Sequence, residues 1–314
     1  MTTRFWFKIG IFLLALGITG WALDFLCSER IIRDALVESI NYDAFRELRV
    51  RDSMIEEILG RVKSHQERNS LKADEAYSDA IGYLTFNMLT RKFDLVDNKP
   101  VSEKTFLRGR SRLEQRKGYQ RLYQYYEAVL SDLRCFPVPD VDGCSPGNSD
   151  ISFVDTWNEL RKYGGRRRHE GTDIMANNNL RGYYPIISIT DGVVEKLGWL
   201  EKGGYRVGIR APSGGYFYYA HLYSYAPGLS EGDPVIAGQL LGFMGDSGYG
   251  KEGTIGQFDV HLHLGIYVRT EAGEMSVNPY ALKPVLTLKQ EMRSIYIPRN
   301  GENFICIRLS TDTS

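Results

Sequence analysis

Four histidines and one aspartate are the residues of this sequence best suited to chemistry. The chain has five histidines, and four of them lie in its second half, at His169, His221, His261 and His263. His169 opens the segment HEGTD, which places Asp173 four residues later. Imidazoles and a carboxylate are common protein ligands of a catalytic zinc ion, which keeps a further position for water. The group therefore predicts a zinc site with histidines left over for proton transfer.

His261 and His263 stand two positions apart in FDVHLHLGIYV, residues 258–268, whose alternating pattern predicts one short β-strand. Because side chains alternate between the two faces of a strand, both histidines share one face with Gly265. The other face is apolar and carries Val260, Leu262, Leu264 and Ile266. The Cα atoms of the two histidines would lie about 6.5 Å apart. Both could reach one metal ion only by converging their rings, so we expect one to bind metal and the other to face a substrate.

The elements that must position these residues lie beyond a boundary in composition. Prolines, glycines and turn formers fill FPVPDVDGCSPGNSD, residues 136–150, and mark the start of a new region. After it, apolar segments separated by turn residues predict short strands, including PIISIT, VVEKLGW, YRVGIRA, YFYYAHL and DPVIAGQLLGFMG. Asp191-Gly192 and Pro212–Gly215 are hairpin signals. A mainly β domain is therefore predicted for the C-terminal half.

A helical region is predicted ahead of that boundary, from about residue 29 to residue 133. Apolar residues recur there at three- and four-residue spacing. The periodicity predicts helices near residues 31–40, 54–62, 76–89 and 105–133, with a connection at 65–74.

Basic residues are concentrated in the last of these helices. Between Lys104 and Arg121 there are seven basic residues and one acid, Glu114. The 104–121 segment is either a solvated helix face or a contact to an anionic surface, such as lipid head groups or a wall polymer. Over the whole chain, 39 Lys and Arg balance 39 Asp and Glu, and no nucleic-acid partner is expected.

The N-terminus is apolar enough to cross a membrane. Ile9 to Leu23 carries no charge, and its aromatic neighbours extend the run to about the 20 residues that a span needs. Arg4 and Lys8 precede it, which favours a cytoplasmic N-terminus. A cleaved signal peptide is the alternative, because Gly20-Trp21-Ala22 can pass for a small-residue cleavage site. On either interpretation the bulk of the chain lies outside the membrane, and we expect the catalytic domain to be extracytoplasmic.

Three motifs occur in an order that is typical of one enzyme family. HEGTD at 169–173, YAHL at 219–222 and HLH at 261–263 resemble the motifs of the LytM/lysostaphin-type zinc endopeptidases of bacterial cell walls. The segments EGDPVIAGQLLGFMGDSGYG and SVNPYALK are also similar to that family. The resemblance covers about residues 134–286.

The resemblance implies a small antiparallel β-sheet with a groove over one zinc ion in the catalytic domain. It implies that Zn2+ is held by His169, Asp173 and His263, and that His221 and His261 are the unligated catalytic pair. When bound, zinc would activate water and polarise the scissile carbonyl. One histidine of the pair would accept a proton from the water, and the other would stabilise the oxyanion and help to protonate the leaving amine. The sequence does not assign these two roles.

The implied function is hydrolysis of peptide bonds in bacterial peptidoglycan by an enzyme held at the outer face of the cell membrane. Some relatives have lost ligands and act as non-catalytic scaffolds or activators of wall hydrolases, which is the alternative function, although this chain retains every ligand. A zinc enzyme that cuts a surface protein or a secreted peptide is a third hypothesis. The bond cleaved stays open among a glycyl-glycine bridge, a D-alanyl linkage to a diamino acid and a stem-peptide bond.

The predicted organisation has four parts: a transmembrane anchor or signal peptide at 1–28, a helical stalk or regulatory region at 29–133, the zinc endopeptidase domain at 134–288 and a tail at 289–314. The tail holds only one weak strand, NFICIRL. Because none of the five site residues lies in the helical region, we expect that region to be dispensable for the chemistry. Cys135 and Cys144 enclose a loop that a disulfide could close, and export permits disulfides without requiring them.

Overall fold

The structure is a computed structural model, and it describes residues 3–37, 40–69, 73–139, 151–162, 165–283, 294–299 and 303–308. Within those ranges, helices occupy the N-terminal part of the chain and a ten-stranded antiparallel sheet occupies the C-terminal part. The predicted fold class, a mainly β domain preceded by helices, is confirmed.

The helices of the described ranges are α1 (Thr3–Val37), α2 (Tyr42–Glu47), α3 (Asp52–Asn69), α4 (Ala73–Thr90), α5 (Glu103–Glu114) and α6 (Lys117–Leu130). Between them, the two-residue strands β1 (Arg49–Val50) and β2 (Asp94–Leu95) pair in parallel. Side-chain caps begin two of the helices. Asn41 accepts a hydrogen bond from the Ala44 amide at α2, and Ser102 accepts one from the Thr105 amide at α5. These bonds satisfy donors that the first turn of a helix leaves unpaired.

The helices differ from the prediction at two places. A connection is predicted at 65–74, but α3 continues through residues 65–69. A single helix is predicted over 105–133, but α5 and α6 are separate, with an extended backbone at Arg116 between them. The break lets the two segments pack differently, because α5 packs mainly on α1 whereas α6 packs mainly on α4 and also on the sheet.

The basic 104–121 segment is largely paired with acidic side chains. Four of its seven basic residues pair with acids outside the segment: Lys104 with Asp24, Arg110 with Asp79, Arg112 with Glu29, and Arg121 with Glu271. Arg110 also pairs with Glu114 inside it. These pairs favour the interpretation as a solvated helix face, whose charges are satisfied by neighbours on the same molecule.

Helix α1 carries the apolar N-terminus into the helical region without a break. Its 35 residues span about 52 Å. Ile11–Leu36 is long and apolar enough to cross a membrane, with a mean hydropathy of 1.8, although a signal sequence near the N-terminus passes the same test. Towards its C-terminal end, Ile32 and Ala35 are buried, and Ile32 packs against Gly109 of α5. The exposed apolar segment and the docked segment are therefore one continuous helix.

The strands of the C-terminal part are β3 (Ile151–Phe153), β4 (Leu160–Arg161), β5 (Arg167–Arg168), β6 (Thr172–Ala176), β7 (Pro185–Ile187), β8 (Gly192–Leu200), β9 (Gly204–Arg210), β10 (Tyr216–Tyr225), β11 (Pro234–Val235), β12 (Leu240–Met244), β13 (His261–Thr270), β14 (Gly273–Val277), β15 (Ser294–Arg299) and β16 (Asn303–Arg308). The order in the main sheet is β11-β8-β9-β10-β13-β6-β3. β12 pairs with β10 and β7, and β14 pairs with β13. Strand β13 therefore lies between β10 and β6.

The alternation predicted for the histidine strand is confirmed, although β13 begins at His261 and not at Phe258. Its core-facing residues are at most 2% exposed: Val260, just before the strand, and Leu262, Leu264 and Ile266 within it. This apolar face anchors the strand in the core, so the histidines of the opposite face have a fixed backbone beneath them.

One of the two predicted hairpins forms. Pro212–Gly215 joins β9 to β10, which pair with each other. Asp191-Gly192 is a turn but not a hairpin, because β7 before it pairs with β12 whereas β8 after it pairs with β9 and β11. The tail also differs from the prediction, since β15 and β16 pair as two strands where one is predicted.

One hydrophobic core runs through the helices and the sheet. α6 packs against β13, and the Ala128 carbonyl of α6 lies against Gly215 at the start of β10. At the junction, the buried Cys135 thiol donates to the Ser188 carbonyl at 3.3 Å. Cys144 lies outside the described residues, so the disulfide stays a prediction, as do the domain limits.

Candidate active site

Two neighbouring strands place a carboxylate and an imidazole side by side. In the register of β6 and β13, Asp173 is paired directly with His263, and paired residues of adjacent strands point to the same face. His169 precedes β6 by three residues, and its ring contacts the His263 ring. The structure thus brings together the three residues that the family resemblance assigns to the metal.

The donor atoms of these three side chains converge on one point. His169 Nε2 lies 2.9 Å from His263 Nδ1, and Asp173 Oδ1 lies 3.1 Å from His263 Nδ1 and 3.2 Å from His169 Nε2. A tetrahedral zinc ion with bonds of about 2.0–2.2 Å holds its ligand atoms about 3.3–3.6 Å apart. The observed separations match that spacing to within a few tenths of an ångström, so the group could hold a metal ion.

Hydrogen bonds behind the cluster orient its donor atoms. His169 Nδ1 lies 2.8 Å from the Thr156 carbonyl, so its N–H donates there and Nε2 keeps a lone pair for a metal. Arg161 Nη2 donates to Asp173 Oδ2 at 2.7 Å, which leaves Oδ1 for the cluster. Arg161 Nη2 also lies 3.0 Å from His169 Nδ1. Only the carbonyl contact is compatible with a metal at Nε2, because a neutral ring with a free Nε2 must carry its proton on Nδ1.

Burial and hydrogen bonding set the charges of the cluster. Burial raises the pKa of the Asp173 carboxyl, but its contacts with His169 and His263 outweigh that effect and hold the pKa well below its usual range. Burial lowers the pKa of His263, against the opposing attraction of Asp173. An ionised carboxylate and neutral imidazoles are the protonation states that bind zinc.

His221 and His261 lie beside this cluster. Their ring centroids are 4.7 Å apart, and His261 Nε2 is 3.8 Å from Asp173 Oδ1. Each Nδ1 lies 2.7 Å from a backbone carbonyl, that of Ser247 for His221 and that of Asp259 for His261. A ring that donates from Nδ1 has Nε2 free to accept a proton. Burial lowers the pKa of His221 well below its ordinary value, so this ring stays neutral at neutral pH.

A bulge in β10 directs His221 towards the other histidines. Tyr218 and Ala220 line the groove, and Tyr219 between them is fully buried. If this alternation continued, the next side chain to face the groove would be that of Leu222. Instead His221 lines the groove and Leu222 is buried, because the register of β10 against β9 shifts between Tyr219 and Leu222. His221 has a φ of 63°, a left-handed conformation that costs a non-glycine residue about 1–2 kcal/mol. Bulges next to active sites commonly re-aim a side chain in this way.

A groove of about 850 Å³ opens over these residues. Tyrosine rings form part of its floor, and two glycines make room for them. A Cβ at Gly208 would collide with the Tyr216 hydroxyl, and a Cβ at Gly265 would come within 2.8 Å of the Tyr267 ring. The groove is lined by six basic side chains, Arg161, Arg167, Arg168, Lys196, Lys202 and Arg206.

Two residues that hold the cluster escape the reasoning from sequence. Arg161 reaches Asp173 from β4, eight residues before His169, and no spacing rule connects the two. Gly171 packs beneath the His263 ring, where a Cβ would lie 2.5 Å from Cε1 and 2.6 Å from Nε2. Gly171 had a signal in the sequence, since it lies inside HEGTD, whereas Arg161 had none.

An antiparallel sheet that carries a His–Asp–His cluster and two further histidines over a groove defines a LytM-type peptidase. The family described as Peptidase family M23 matches residues 167–279, a range that includes all five site residues. The chain belongs to this family. The resemblance stated from the motifs is therefore confirmed, and the family is in general zinc-dependent.

Three proteins with known names or structures are similar to this chain. The L-Ala--D-Glu endopeptidase of Bacillus subtilis (strain 168) is 41% identical over 162 residues, which are 52% of this chain and 46% of that protein. The chain thus spans about half the length of this curated relative. A crystal structure from Ruminococcus gnavus ATCC 29149, described as a glycyl-glycine endopeptidase LytM, is 42% identical with a TM-score of 0.63 and covers 79% of this chain and 92% of its own. The catalytic domain of lysostaphin from Staphylococcus simulans is 26% identical with a TM-score of 0.33, over 44% of this chain and 92% of its own.

Proposed function

We propose that the chain is a zinc-dependent endopeptidase that hydrolyses a peptide bond of bacterial peptidoglycan. The observation that carries the proposal is the convergence of His169 Nε2, Asp173 Oδ1 and His263 Nδ1 within 3.2 Å of one another. Support for this substrate class comes from membership of Peptidase family M23 and from two similar proteins, described as an L-Ala--D-Glu endopeptidase and a glycyl-glycine endopeptidase.

The three converging side chains would hold the zinc ion. When bound, zinc would supply an activated water molecule and polarise the scissile carbonyl. Two imidazoles and one carboxylate are a typical set of three protein ligands in catalytic zinc sites. The Arg161 guanidinium and the Thr156 carbonyl would keep Asp173 and His169 in their binding orientation, as partners behind metal ligands commonly do.

His221 and His261 would handle the protons of the reaction. Both rings have Nε2 directed to the groove side, because Nδ1 faces a backbone carbonyl. Burial lowers the pKa of His221 and keeps its ring neutral, so its Nε2 lone pair is available to accept a proton from the water. His261 lies nearer the cluster carboxylate, at 3.8 Å from Asp173 Oδ1, and would stabilise the oxyanion and help to protonate the leaving amine.

The enzyme would act outside the cytoplasm from a single membrane-spanning helix. Support comes from α1, whose apolar segment at Ile11–Leu36 has the length and composition of a span. The same helix ends in a buried, docked turn at Ile32 and Ala35. Anchoring through a continuous helix would hold the groove at a fixed distance from the membrane, facing the wall.

Purified peptidoglycan tests the proposal. Incubation with the full-length protein should release soluble peptide fragments detectable by mass spectrometry. A chelator should stop the release, and added Zn2+ should restore it. A protein that binds no zinc and releases nothing would be a scaffold or activator instead, whereas a zinc-loaded protein that cuts only a protein substrate would have a different target. His263→Ala serves as the inactive control.

A further inference from the structure

We propose that the groove holds a carboxylate-binding subsite centred on Arg206, which selects a stem peptide with a free carboxylate over an uncharged glycine bridge. The proposal rests on the proposed endopeptidase function and names the substrate class of that site. The two endopeptidases described above are named for different bonds, and only one of those bonds adjoins a residue that carries a negative charge.

Arg206 lies two strands away from the metal-type cluster on the groove side of the sheet. In β9 it falls between Tyr205, paired with Leu222, and Val207, paired with Tyr219, so it stands opposite the β10 bulge. On the other side of that bulge, Ala220 is paired with His263. Two strand spacings are about 10 Å. A peptide that presents its scissile carbonyl at the cluster would therefore have its next residue within reach of the Arg206 side chain.

Among the described residues, the Arg206 guanidinium has no hydrogen-bond acceptor. Its Nη1 is buried and forms no hydrogen bond, and in the described part of the chain no carboxylate lies within ion-pair distance of the side chain. Its surroundings are tyrosines. Burial raises the pKa of the Tyr216, Tyr218 and Tyr225 phenols, and the nearby positive charge of Arg206 opposes that rise. A buried donor without a partner costs free energy. A carboxylate in the groove would supply the missing acceptor through a charge-assisted pair of hydrogen bonds.

The groove around Arg206 has an excess of positive charge. Lys196 and Lys202 line the same groove, and neither forms an ion pair across the residues that the structure describes. The acids of the groove outside the metal-type cluster are already engaged. Glu274 binds Arg210 at 2.8 Å, and Glu170 binds Arg46 at 2.8 Å. The three cations therefore remain available to a ligand.

The excess of positive charge favours a negatively charged substrate over an uncharged one. A glycine bridge has no side chains and offers no charge to the three cations. A stem peptide in which glutamate is linked onward through its γ-carboxyl keeps its α-carboxylate free, next to the bond between alanine and glutamate. A diamino acid further along the stem can carry another free carboxylate. The shared chemistry is a peptide carboxylate close to the scissile bond, and the test below distinguishes its two sources.

The test compares kcat/KM of the full-length protein on three soluble substrates. They are a stem peptide with both carboxylates free, the same peptide with only the glutamate α-carboxylate amidated, and the same peptide with only the diamino-acid carboxylate amidated. Arg206→Gln should lower kcat/KM on the free peptide about 10- to 100-fold, as expected for loss of a hydrogen bond to a charged group. The loss should lie mainly in KM. Amidation of the carboxylate that binds Arg206 should lower the kcat/KM of the wild type by the same factor. On that amidated peptide, Arg206→Gln should have the same kcat/KM as the wild type.

Matched variants control for structure. Arg206→Lys should restore part of the loss, because it keeps the charge without the planar pair of donors. Arg269→Gln removes an exposed arginine of β13 that does not line the groove and pairs with Glu274 at 3.5 Å. It should change no kinetic constant more than twofold, because Glu274 keeps its ion pair with Arg210. An equal loss for Arg206→Gln on all three substrates, or cleavage of a pentaglycine peptide as fast as the free stem peptide, would overturn the subsite.

Binding separates the subsite from the proposed reaction. Calorimetry on chelator-treated protein with the free stem peptide should show weaker binding for Arg206→Gln than for wild type. If the wild type cleaves none of the peptides, the proposed function fails, while this binding difference still supports the subsite. If the wild type cleaves the free peptide and Arg206→Gln binds and cleaves it equally well, only the subsite fails.

Discussion

The five site residues fall into two groups by what their ring nitrogens and oxygens face. We expect His263→Ala and Asp173→Ala to lose most bound zinc together with activity, because each removes one of the converging donor atoms. His221→Ala and His261→Ala should keep near-stoichiometric zinc and lose turnover by at least about 100-fold, since each removes a proton-transfer group. Metal analysis and turnover on the four purified, folded proteins check this. Loss of zinc from His261→Ala with retention in His263→Ala would reverse the assignment.

Gly171 is predicted to be as necessary for the metal as a ligand. A Cβ at this position would lie 2.5 Å from Cε1 of His263 and 2.6 Å from the Leu264 carbonyl, so Gly171→Ala must push the His263 ring or the strand out of place. We expect at least a tenfold loss of zinc affinity in a folded protein, measured by competition with a chelator. Gly118→Ala, at an α6 position with open space around it, is the matched control. Equal zinc affinity of the two variants would contradict the prediction.

At the scale of single residues, the sequence singles out side chains that converge in the structure but not the residues that support them. His169, Asp173 and His263 are recognisable because zinc restricts the residue types that can bind it. Arg161 could not be predicted, because its contact with Asp173 depends on where β4 lies relative to the cluster and not on a local sequence pattern. The unsatisfied Nη1 of Arg206 is likewise a property of packing, and one arginine among 39 basic residues carries no mark of it.

The β10 bulge is the element that completes the group of histidines. His221 adopts its left-handed φ of 63° to enter the groove, and glycine adopts that conformation without steric cost. The free energy of unfolding of His221→Gly should therefore exceed that of His221→Ala by about 1 kcal/mol. Both variants lack the imidazole, so both should lose turnover. Thermal unfolding of the two proteins measures the difference. A higher melting temperature for His221→Ala would show that the bulge relaxes when the ring is removed.

Elements were predictable where local pattern decides them and not where pairing does. The apolar alternation of β13 and the turn at Pro212–Gly215 depend on neighbours in sequence, and both form as predicted. The turn at Asp191-Gly192 has the same local chemistry, but β7 finds its partner in β12, about fifty residues away. The break between α5 and α6 likewise follows from which neighbour each helix packs against.

At the scale of the whole molecule, α1 joins a membrane-type segment to the folded part. Because one helix contains both the apolar run and the buried Ile32, we expect the full-length protein to remain with membranes after a high-salt wash and to be released by detergent. Protein fractionation followed by N-terminal sequencing checks this. A mature soluble form beginning near Leu23 would refute the anchor and leave a secreted enzyme.

Hydrogen bonds also join the N-terminal helical region to the sheet. Arg46 of α2 donates to Glu170, next to His169, and to the Ser276 hydroxyl of β14, each at 2.8 Å. Asp132 after α6 accepts from the Ser213 amide at 2.8 Å. The expectation that the helical region is dispensable therefore applies to the chemistry alone, because the region shares its core with the sheet that positions the site.

A chain that begins at Asp132 should separate these two roles. All five site residues remain in it, so we expect it to bind zinc, but it loses the α6 surface that packs against β13 and should melt at a lower temperature than a chain beginning at Glu29. Gly215→Ala in the longer chain should mimic part of this loss, by about 1–3 kcal/mol, because its Cβ would collide with the Ala128 carbonyl of α6. Gly118→Ala on α6 is again the control. If the shorter chain melts as high as the longer one and Gly215→Ala changes nothing, the helices are an appendage and not a support for the site.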